Sequence, residues 1–185
     1  MWRSRRSVSG FLPLLALLAC SGSDDGPPAF RGPGLKVAPL EVAQQAAVNA
    51  VAVNAAFNPD PSLSLLIDPV YLPRTEGTAG GTPVPQALIA RMRDQGIVRG
   101  TCQPSRDSTR TVPLCPSALS GYVVRFSQVL GLGGGTDSVQ VYLAATRYRH
   151  EPKEPAELLS FERAYRIGRA RAGWRVLSEA RIPKR

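Results

Sequence analysis

The apolar residues in the first half of the chain are spaced as in amphipathic helices. In the first such stretch they recur at every third or fourth position, at Leu40, Ala43, Ala47, Val51 and Ala55. This spacing predicts a helix from Pro39-Leu40 to Phe57, because proline is favoured in a first turn and Pro59 would break the helix beyond it. The small alanines allow this helix to pack closely on a sheet.

A short strand and a second helix are predicted next. Leu63, Leu65 and Ile67 alternate with polar residues and are followed by Pro69, a pattern typical of a short strand. The second helix is predicted from Thr82-Pro83 to Gln95, where Gly96 stops it. Its predicted buried face consists of Leu88, Ile89 and Met92. The residues that follow, Ile97-Val98, are predicted to lead into a further strand.

The second half of the chain alternates apolar and polar residues with the period of β-strands. Four strands are predicted from Gly121 onward, with inward positions at Tyr122, Val124 and Phe126; Val139, Val141, Leu143 and Ala145; Leu159, Phe161, Tyr165 and Ile167; and Trp174, Val176 and Ile182. The segment Ala170-Arg171-Ala172-Gly173 is predicted to be the last hairpin turn. The whole pattern predicts an α+β fold, with two N-terminal helices packed on a curved antiparallel sheet of about four to five strands.

The last predicted hairpin carries a glycine–tryptophan step, Gly173-Trp174-Arg175-Val176-Leu177. This segment resembles the last hairpin of the nuclear-transport-factor-2-like and cystatin-like α+β domains. The resemblance implies N-terminal helices on a curved antiparallel sheet. Enzymes of that group place Asp, His or Tyr inside the sheet-and-helix cone. This chain offers no matching set, so the resemblance implies a fold and transfers no catalytic residue.

The first 20 residues have the layout of an export signal. Three arginines precede a nine-residue apolar segment, Phe11 to Ala19, which is too short to span a bilayer. Leu17-Leu18-Ala19-Cys20 resembles the lipobox of bacterial lipoproteins, which implies that Cys20 is lipidated and becomes the mature N-terminus. The alternative is an ordinary secretory signal with an incidental cysteine. The segment Ser4-Arg5-Arg6 leaves open whether export follows the general or the twin-arginine route.

The lipoprotein resemblance also implies a location and a domain organisation. Ser21 after the lipidated cysteine implies transport to the outer membrane of a diderm bacterium, where the domain would face the periplasm. We predict a signal peptide over residues 1–19, a flexible tether rich in Gly, Pro and Ser over residues 20–38, and a single domain over residues 39–185.

The chain contains three cysteines, and the lipid would occupy Cys20. This leaves Cys102 and Cys115 as an even pair in an oxidising compartment, which predicts a disulfide. A metal site is disfavoured, because His150 is the single histidine and the two thiols do not have zinc-ligand spacing. No Cys-x-x-Cys redox motif is present. We therefore predict a structural disulfide, no metal and no cofactor.

The sequence also contains three weaker candidates for chemistry. Gly131–Thr136 is glycine-rich, but strand-like residues follow it, so a hairpin loop is predicted instead of a phosphate-binding loop. His150 beside Glu151 falls in a charged segment broken by prolines, where both side chains would be solvated. Asp68 before Pro69 is predicted to be a turn residue at a strand end. No serine lies in a nucleophile elbow, and we predict that the chain is not an enzyme.

Arginines dominate the charge of this chain, which has 23 Lys and Arg against 14 Asp and Glu. Without the three signal arginines, 20 basic residues remain and the net charge is near +6. Many arginines fall in the last three predicted strands, interleaved with aromatic residues. The residues predicted to bind a partner are Arg147, Tyr148, Arg149, Arg163, Tyr165 and Arg175. Such a face can bind anionic polymers, and the alternative is a solvated arginine-rich sheet face.

These features predict a lipid-anchored envelope protein with a binding or structural role. Its expected partner is an envelope protein or an anionic glycan or lipid, and outside the cell these are favoured over nucleic acid. The alternative is a small-ligand pocket, or an isomerase- or hydrolase-like activity, inside a curved sheet. That alternative requires Asp68, Tyr71 and Tyr122 to converge on a cavity.

Overall fold

The structure is a computed structural model that describes residues 35–58, 63–74, 81–103, 115, 117, 121–133, 135–148 and 159–183. Two helices are present, α1 at Val42–Phe57 and α2 at Gln86–Asp94. The strands, in chain order, are β1 Lys36–Val37, β2 Ser64–Ile67, β3 Gly100–Thr101, β4 Gly121–Phe126, β5 Leu130–Gly131, β6 Ser138–Tyr148, β7 Ser160–Ala170 and β8 Gly173–Arg181. The predicted signal peptide, Cys20 and the tether before residue 35 lie outside the described residues.

All eight strands belong to one mixed sheet with β6 at its centre. Strands β4 and β5 pair with β6 along one edge, and β7 pairs with β6 along the other. The sheet continues from β7 to β8 and, on the opposite side, from β4 to β2 and β3. Strand β1 pairs with β5. The α+β class is therefore confirmed, with two helices and a large, mostly antiparallel sheet.

The sheet differs from the predicted one in size and in direction. It has eight strands in place of the predicted four to five, and three of them contain only two residues. Strand β2 runs parallel to both β3 and β4. The helices are also not strictly N-terminal, because β1 precedes α1 and β2 lies between the helices. Period-two patterns show where strands occur but not how they pair, and strands of two residues carry no period at all.

Two predicted boundaries are also corrected. Residues 36 and 37, assigned to the tether, form β1 instead. Helix α2 begins at Gln86 and not at Thr82-Pro83. Residues 82–84 lie extended beside residues 69–71, where Tyr71 N donates to Thr82 O and Val84 N donates to Pro69 O. The chain can therefore turn into a helix only after Pro85.

The sheet has two faces with different coverings. On the face that we call the helix face, α1 and α2 cover a core that includes Ile67, Val124, Phe126, Val141, Leu143, Tyr165 and Ile167. We call the opposite one the second face. There Leu66 and Val123 pack with Cys102, Cys115 and Tyr148, and a separate group contains Leu130, Tyr142 and Ala164.

The disulfide explains why β2 is buried on both sides. Cys102 and Cys115, the predicted pair, form a disulfide with their Cα atoms 5.7 Å apart. It packs on Leu66, so that the second face of β2 is covered as well as the helix face. All four residues of β2 are consequently buried, although the sequence alternation predicts a strand with one exposed side.

Candidate functional site: an aromatic–arginine patch at the end of α1

The residues predicted to bind a partner do not form one exposed surface. Tyr148 and Tyr165 are only 2% and 0% exposed, and they lie on opposite faces of the sheet. Arg147 and Arg163 share the helix face, whereas Arg175 lies on the second face, opposite Gly168. The predicted grouping is therefore corrected, because neighbouring strand residues point to opposite faces and both tyrosines are covered.

Three aromatic rings meet at the C-terminal end of α1. Phe57 is the last residue of this helix, while Tyr122 and Phe161 lie on the helix face of β4 and β7. The ring centroids are 5.3 Å apart for Phe57–Tyr122, 5.6 Å for Phe57–Phe161 and 6.3 Å for Tyr122–Phe161. All three residues are half-buried. The cluster therefore seals the edge of the core and also presents aromatic surface to solvent.

Two of the predicted arginines border these rings. Arg147 is exposed and lies directly opposite Tyr122 in the β4–β6 ladder. The guanidinium carbon of Arg163 lies 5.2 Å from the centroid of the Phe161 ring, within the range of a cation–π interaction. Arg163 Nη1 also lies 3.4 Å from Glu179 Oε1, in an exposed ion pair. We call the following five residues the aromatic–arginine patch: Phe57, Tyr122, Phe161, Arg147 and Arg163.

The end of α1 places Phe57 in this patch. Asn58 has a φ of 44°, the left-handed conformation that commonly ends a helix, and its N–H donates to Asn54 O at 3.0 Å. The sequence pattern predicts Phe57 as a helix end and Phe161 as an inward strand position, but neither as a site residue. Their contact depends on the direction in which α1 crosses β4 and β7, and no local pattern in the sequence carries that direction.

Two residues of the alternative pocket hypothesis, Asp68 and Tyr122, lie apart on the sheet. Tyr122 lies opposite Leu65 on β2, whereas Asp68 lies three residues further along, about 10 Å away at the strand rise. Asp68 is buried, and its Oδ1 accepts a hydrogen bond from Val70 N. Its Oδ2 lies 3.5 Å from Arg125 Nε.

Arg125, the half-buried partner of Asp68, also contacts the backbone after β2. Its guanidinium donates to the backbone oxygens of Val70 and Tyr71 at 3.1 and 3.0 Å. The ion pair therefore ties the segment after β2 to β4. This is a structural use of Asp68, and it agrees with the turn role predicted at the strand end.

The glycine-rich segment and the charged residues around His150 were the other candidates for a site. Leu130 and Gly131 pair with Gln140 and Val139, so the glycine-rich segment connects two antiparallel strands as a hairpin. Arg149, His150, Glu151 and Glu154 lie outside the described residues.

Within the ranges that the structure describes, no group of three His, Cys, Asp or Glu side chains is placed to hold a metal ion. No helix in those ranges is long and apolar enough to cross a membrane.

Three buried tyrosines make alkaline stability a test of the packing around the sheet. Burial raises the pKa of Tyr71, Tyr142 and Tyr165 above the ordinary 10.0, although nearby Arg74 partly opposes the rise at Tyr142 and Arg163 partly opposes it at Tyr165. Each raised pKa belongs to the folded state. The stability contributed by the neutral phenols is therefore complete below pH 10 and is lost as the pH rises through the raised values.

We accordingly expect the Tm of the protein to fall as the pH increases above 10. Phenolate absorbance should show a late group among the five tyrosines, which ionises above the ordinary pKa of 10.0. The control is the same titration in denaturant, where all five should ionise together near pH 10. A folded protein whose tyrosines all follow the control curve would contradict the burial of these side chains.

Comparisons with known proteins assign no family to this fold or to its patch. No family model, no curated protein and no solved structure matches the chain. No enzyme family is therefore indicated for it.

Proposed function

We propose that this chain is a lipid-anchored envelope protein that binds an anionic envelope partner through the aromatic–arginine patch. The observation that carries the proposal is the half-exposed ring cluster with two arginines at its border. Aromatic and arginine side chains dominate the energetics of protein interfaces, because they combine a large apolar area with directional charge. Phe57, Tyr122 and Phe161 supply the area, and Arg147 and Arg163 supply the charge.

The charge around the patch favours a negatively charged partner. Glu179 neutralises part of Arg163, but Arg181 lies directly opposite Arg163 on β8 and is exposed. Arg147 adds a further positive charge on the same face. A cationic rim of this kind attracts anionic surfaces and accelerates their association.

The lipobox resemblance supports the location of the binding event. Lipidation at Cys20 would hold the protein at the outer membrane, and the tether would allow the domain to reach components facing the periplasm. A lipid-anchored domain meets its partner at a high effective concentration, so a patch of modest area suffices for function.

Crosslinking in native membranes tests the proposal. The mature protein is captured after mild crosslinking, in its original form and as the double variant Arg147→Glu/Arg163→Glu. We expect the double variant to capture at least about tenfold less partner, because two positive charges that attract an anionic partner become two negative charges that repel it. The matched control is Arg171→Glu/Arg175→Glu, which changes the charge equally at exposed positions outside the patch.

The wash conditions identify the class of partner. A protein that remains bound in high salt would mark an assembly or scaffold lipoprotein. An anionic glycan or lipid retained only in low salt would fit a surface that works by charge, because salt screens exposed charges. Equal capture by the double variant and the original protein would refute the role of the patch. Loss of capture in the Arg171/Arg175 variant alone would assign binding to the second face.

A further variant tests the contribution of the aromatic rings to binding separately from that of the two arginines. Phe161→Leu keeps an apolar side chain at this position but removes the cation–π contact with Arg163. We expect it to weaken capture while the Tm changes by only a few degrees. A variant that binds normally would restrict the proposed role to the two arginines.

A further inference from the structure

Three buried polar atoms on the second face have no hydrogen-bond partner among the described residues. They are Ser138 Oγ, Gln140 Oε1 and Arg166 Nε. An unsatisfied buried polar atom destabilises the folded state, and native proteins contain few of them. Three such atoms in one small area therefore call for a functional explanation.

The strand register brings their side chains within reach of a single small molecule. Gln140 lies directly opposite Arg166, and Arg166 lies directly opposite Ser178 on β8. Ser138 lies opposite Gly168, one diagonal step from Arg166. Cβ atoms are about 4.5–5.5 Å apart for directly opposite residues, and diagonal neighbours are about 7–8 Å apart. We call the following four residues the polar cluster: Ser138, Gln140, Arg166 and Ser178.

The positive charge of Arg166 is not balanced within the described part of the chain. No carboxylate among the described residues forms an ion pair with it. Glu162, four positions earlier on the same strand and face, is already paired with Arg74. Arg166 as a whole is half-buried, and its Nε is covered.

Gln140 can join the other three residues as a hydrogen-bond donor. It is 0% exposed, and its Nε2 lies 2.6 Å from Tyr142 Oη. One N–H of this amide donates to the tyrosine hydroxyl, and Nε2 carries a second N–H that can donate to a ligand. The cluster then presents a guanidinium, an amide N–H and two hydroxyls. A set of donors with a positive charge selects an anion.

Apolar side chains lie beside part of the cluster. Leu130 lies opposite Gln140, and Tyr142 and Ala164 pack beside it. Leu177 occupies the space above Gly168, where an added Cβ would lie only 2.7 Å from its Cδ1. Charged hydrogen bonds are stronger in such an environment than in open solvent.

We propose that the polar cluster binds a small oxyanion of the carboxylate or phosphate class. Arg166 supplies the charge, Ser138 and Ser178 donate from their hydroxyls, and Gln140 donates from Nε2. This site lies on the face opposite the aromatic–arginine patch and is independent of the partner proposed for that patch.

Anion titrations of the purified full-length protein in detergent test the site. Sodium acetate and sodium phosphate are compared with sodium chloride at equal ionic strength, and binding is followed by Tm and by NMR of the Arg166 Nε–H and the Ser138 and Gln140 amides. We expect one or both oxyanions to raise the Tm with saturation and to shift these signals, while chloride does not. Preference for acetate would assign a carboxylate ligand, and preference for phosphate a phosphorylated one.

Two variants and one control make the result specific. Arg166→Gln should weaken anion binding at least about tenfold, because a charged hydrogen bond contributes about 1.5–3 kcal/mol. Ser138→Ala leaves the charge unchanged and should weaken binding several-fold with the fold intact. Arg171→Gln changes the charge equally in an exposed turn and should bind as the original protein does.

Three results would overturn the oxyanion site. The first is the absence of a saturable effect of acetate and phosphate beyond that of chloride. The second is undiminished binding by both Arg166→Gln and Ser138→Ala. The third is an equal loss in Arg171→Gln, which would show that the effect follows from net charge alone.

Discussion

Gly121→Ala is expected to destabilise this protein by about 3 kcal/mol or more, or to prevent folding, because the parallel β2–β4 pair leaves no room for a side chain there. A Cβ added to Gly121 would lie 1.7 Å from Ser64 O and 2.7 Å from Ser64 C. These atoms belong to the backbone of the neighbouring strand, so the clash cannot be relieved by rotating a side chain. Urea unfolding of the variant measures the loss.

The chain offers a matched control for this substitution. Gly100 lies on β3, the other strand that pairs with β2, and a Cβ there would meet only Leu66 Cδ2 at an ordinary 3.7 Å. Gly100→Ala should therefore change the free energy of unfolding by less than about 1 kcal/mol. Equal stability of the two variants would contradict the close approach of β4 to β2.

Removal of the disulfide should cost about 3 kcal/mol, since it closes a loop between residues 13 positions apart. Cys115 is 1% exposed and packs with Leu66, Val123 and Tyr148, so that the loss also loosens the second face. We expect the denaturation midpoint to fall when the protein is reduced. The double variant Cys102→Ser/Cys115→Ser should show a similar fall without reductant.

A control separates the cystine from general effects of the reductant. The Cys102→Ser/Cys115→Ser variant should have the same midpoint with and without reductant, because it has no disulfide to lose. Unchanged stability of the original protein in reductant would show that the cross-link contributes nothing to the fold.

The candidate site was only partly predictable from the sequence. Arg147 and Arg163 were predicted, and both border the aromatic–arginine patch. Strand alternation already places Arg147 and Tyr148 on opposite faces, but it does not tell which face is covered. Tyr165 was also predicted to contact a partner, and it is fully buried on the helix face. Exposure depends on what packs above a strand, which is a long-range property.

The polar cluster likewise could not be predicted from the local sequence. Arg166 belongs to the arginine-rich strands, yet nothing local distinguishes it from its exposed neighbour Arg169. Its partners come from β6 and β8, and Ser178 reaches the matching position only because the β7–β8 register shifts between Arg166 and Ile167. The apolar residues Trp174, Val176 and Ile182 keep an even spacing across this shift, so the hydrophobic pattern does not reveal it.

The sequence by itself determined the two helices, the longer strands, the disulfide pair and the excess of arginine, because each of these follows from local spacing or from composition. The tertiary structure alone decided the parallel pairing of β2, the two-residue strands, and which side chains meet at the end of α1 and on the second face. Those features depend on contacts between distant segments. Local periodicity sets where an element forms, whereas packing and register set which of its residues become neighbours.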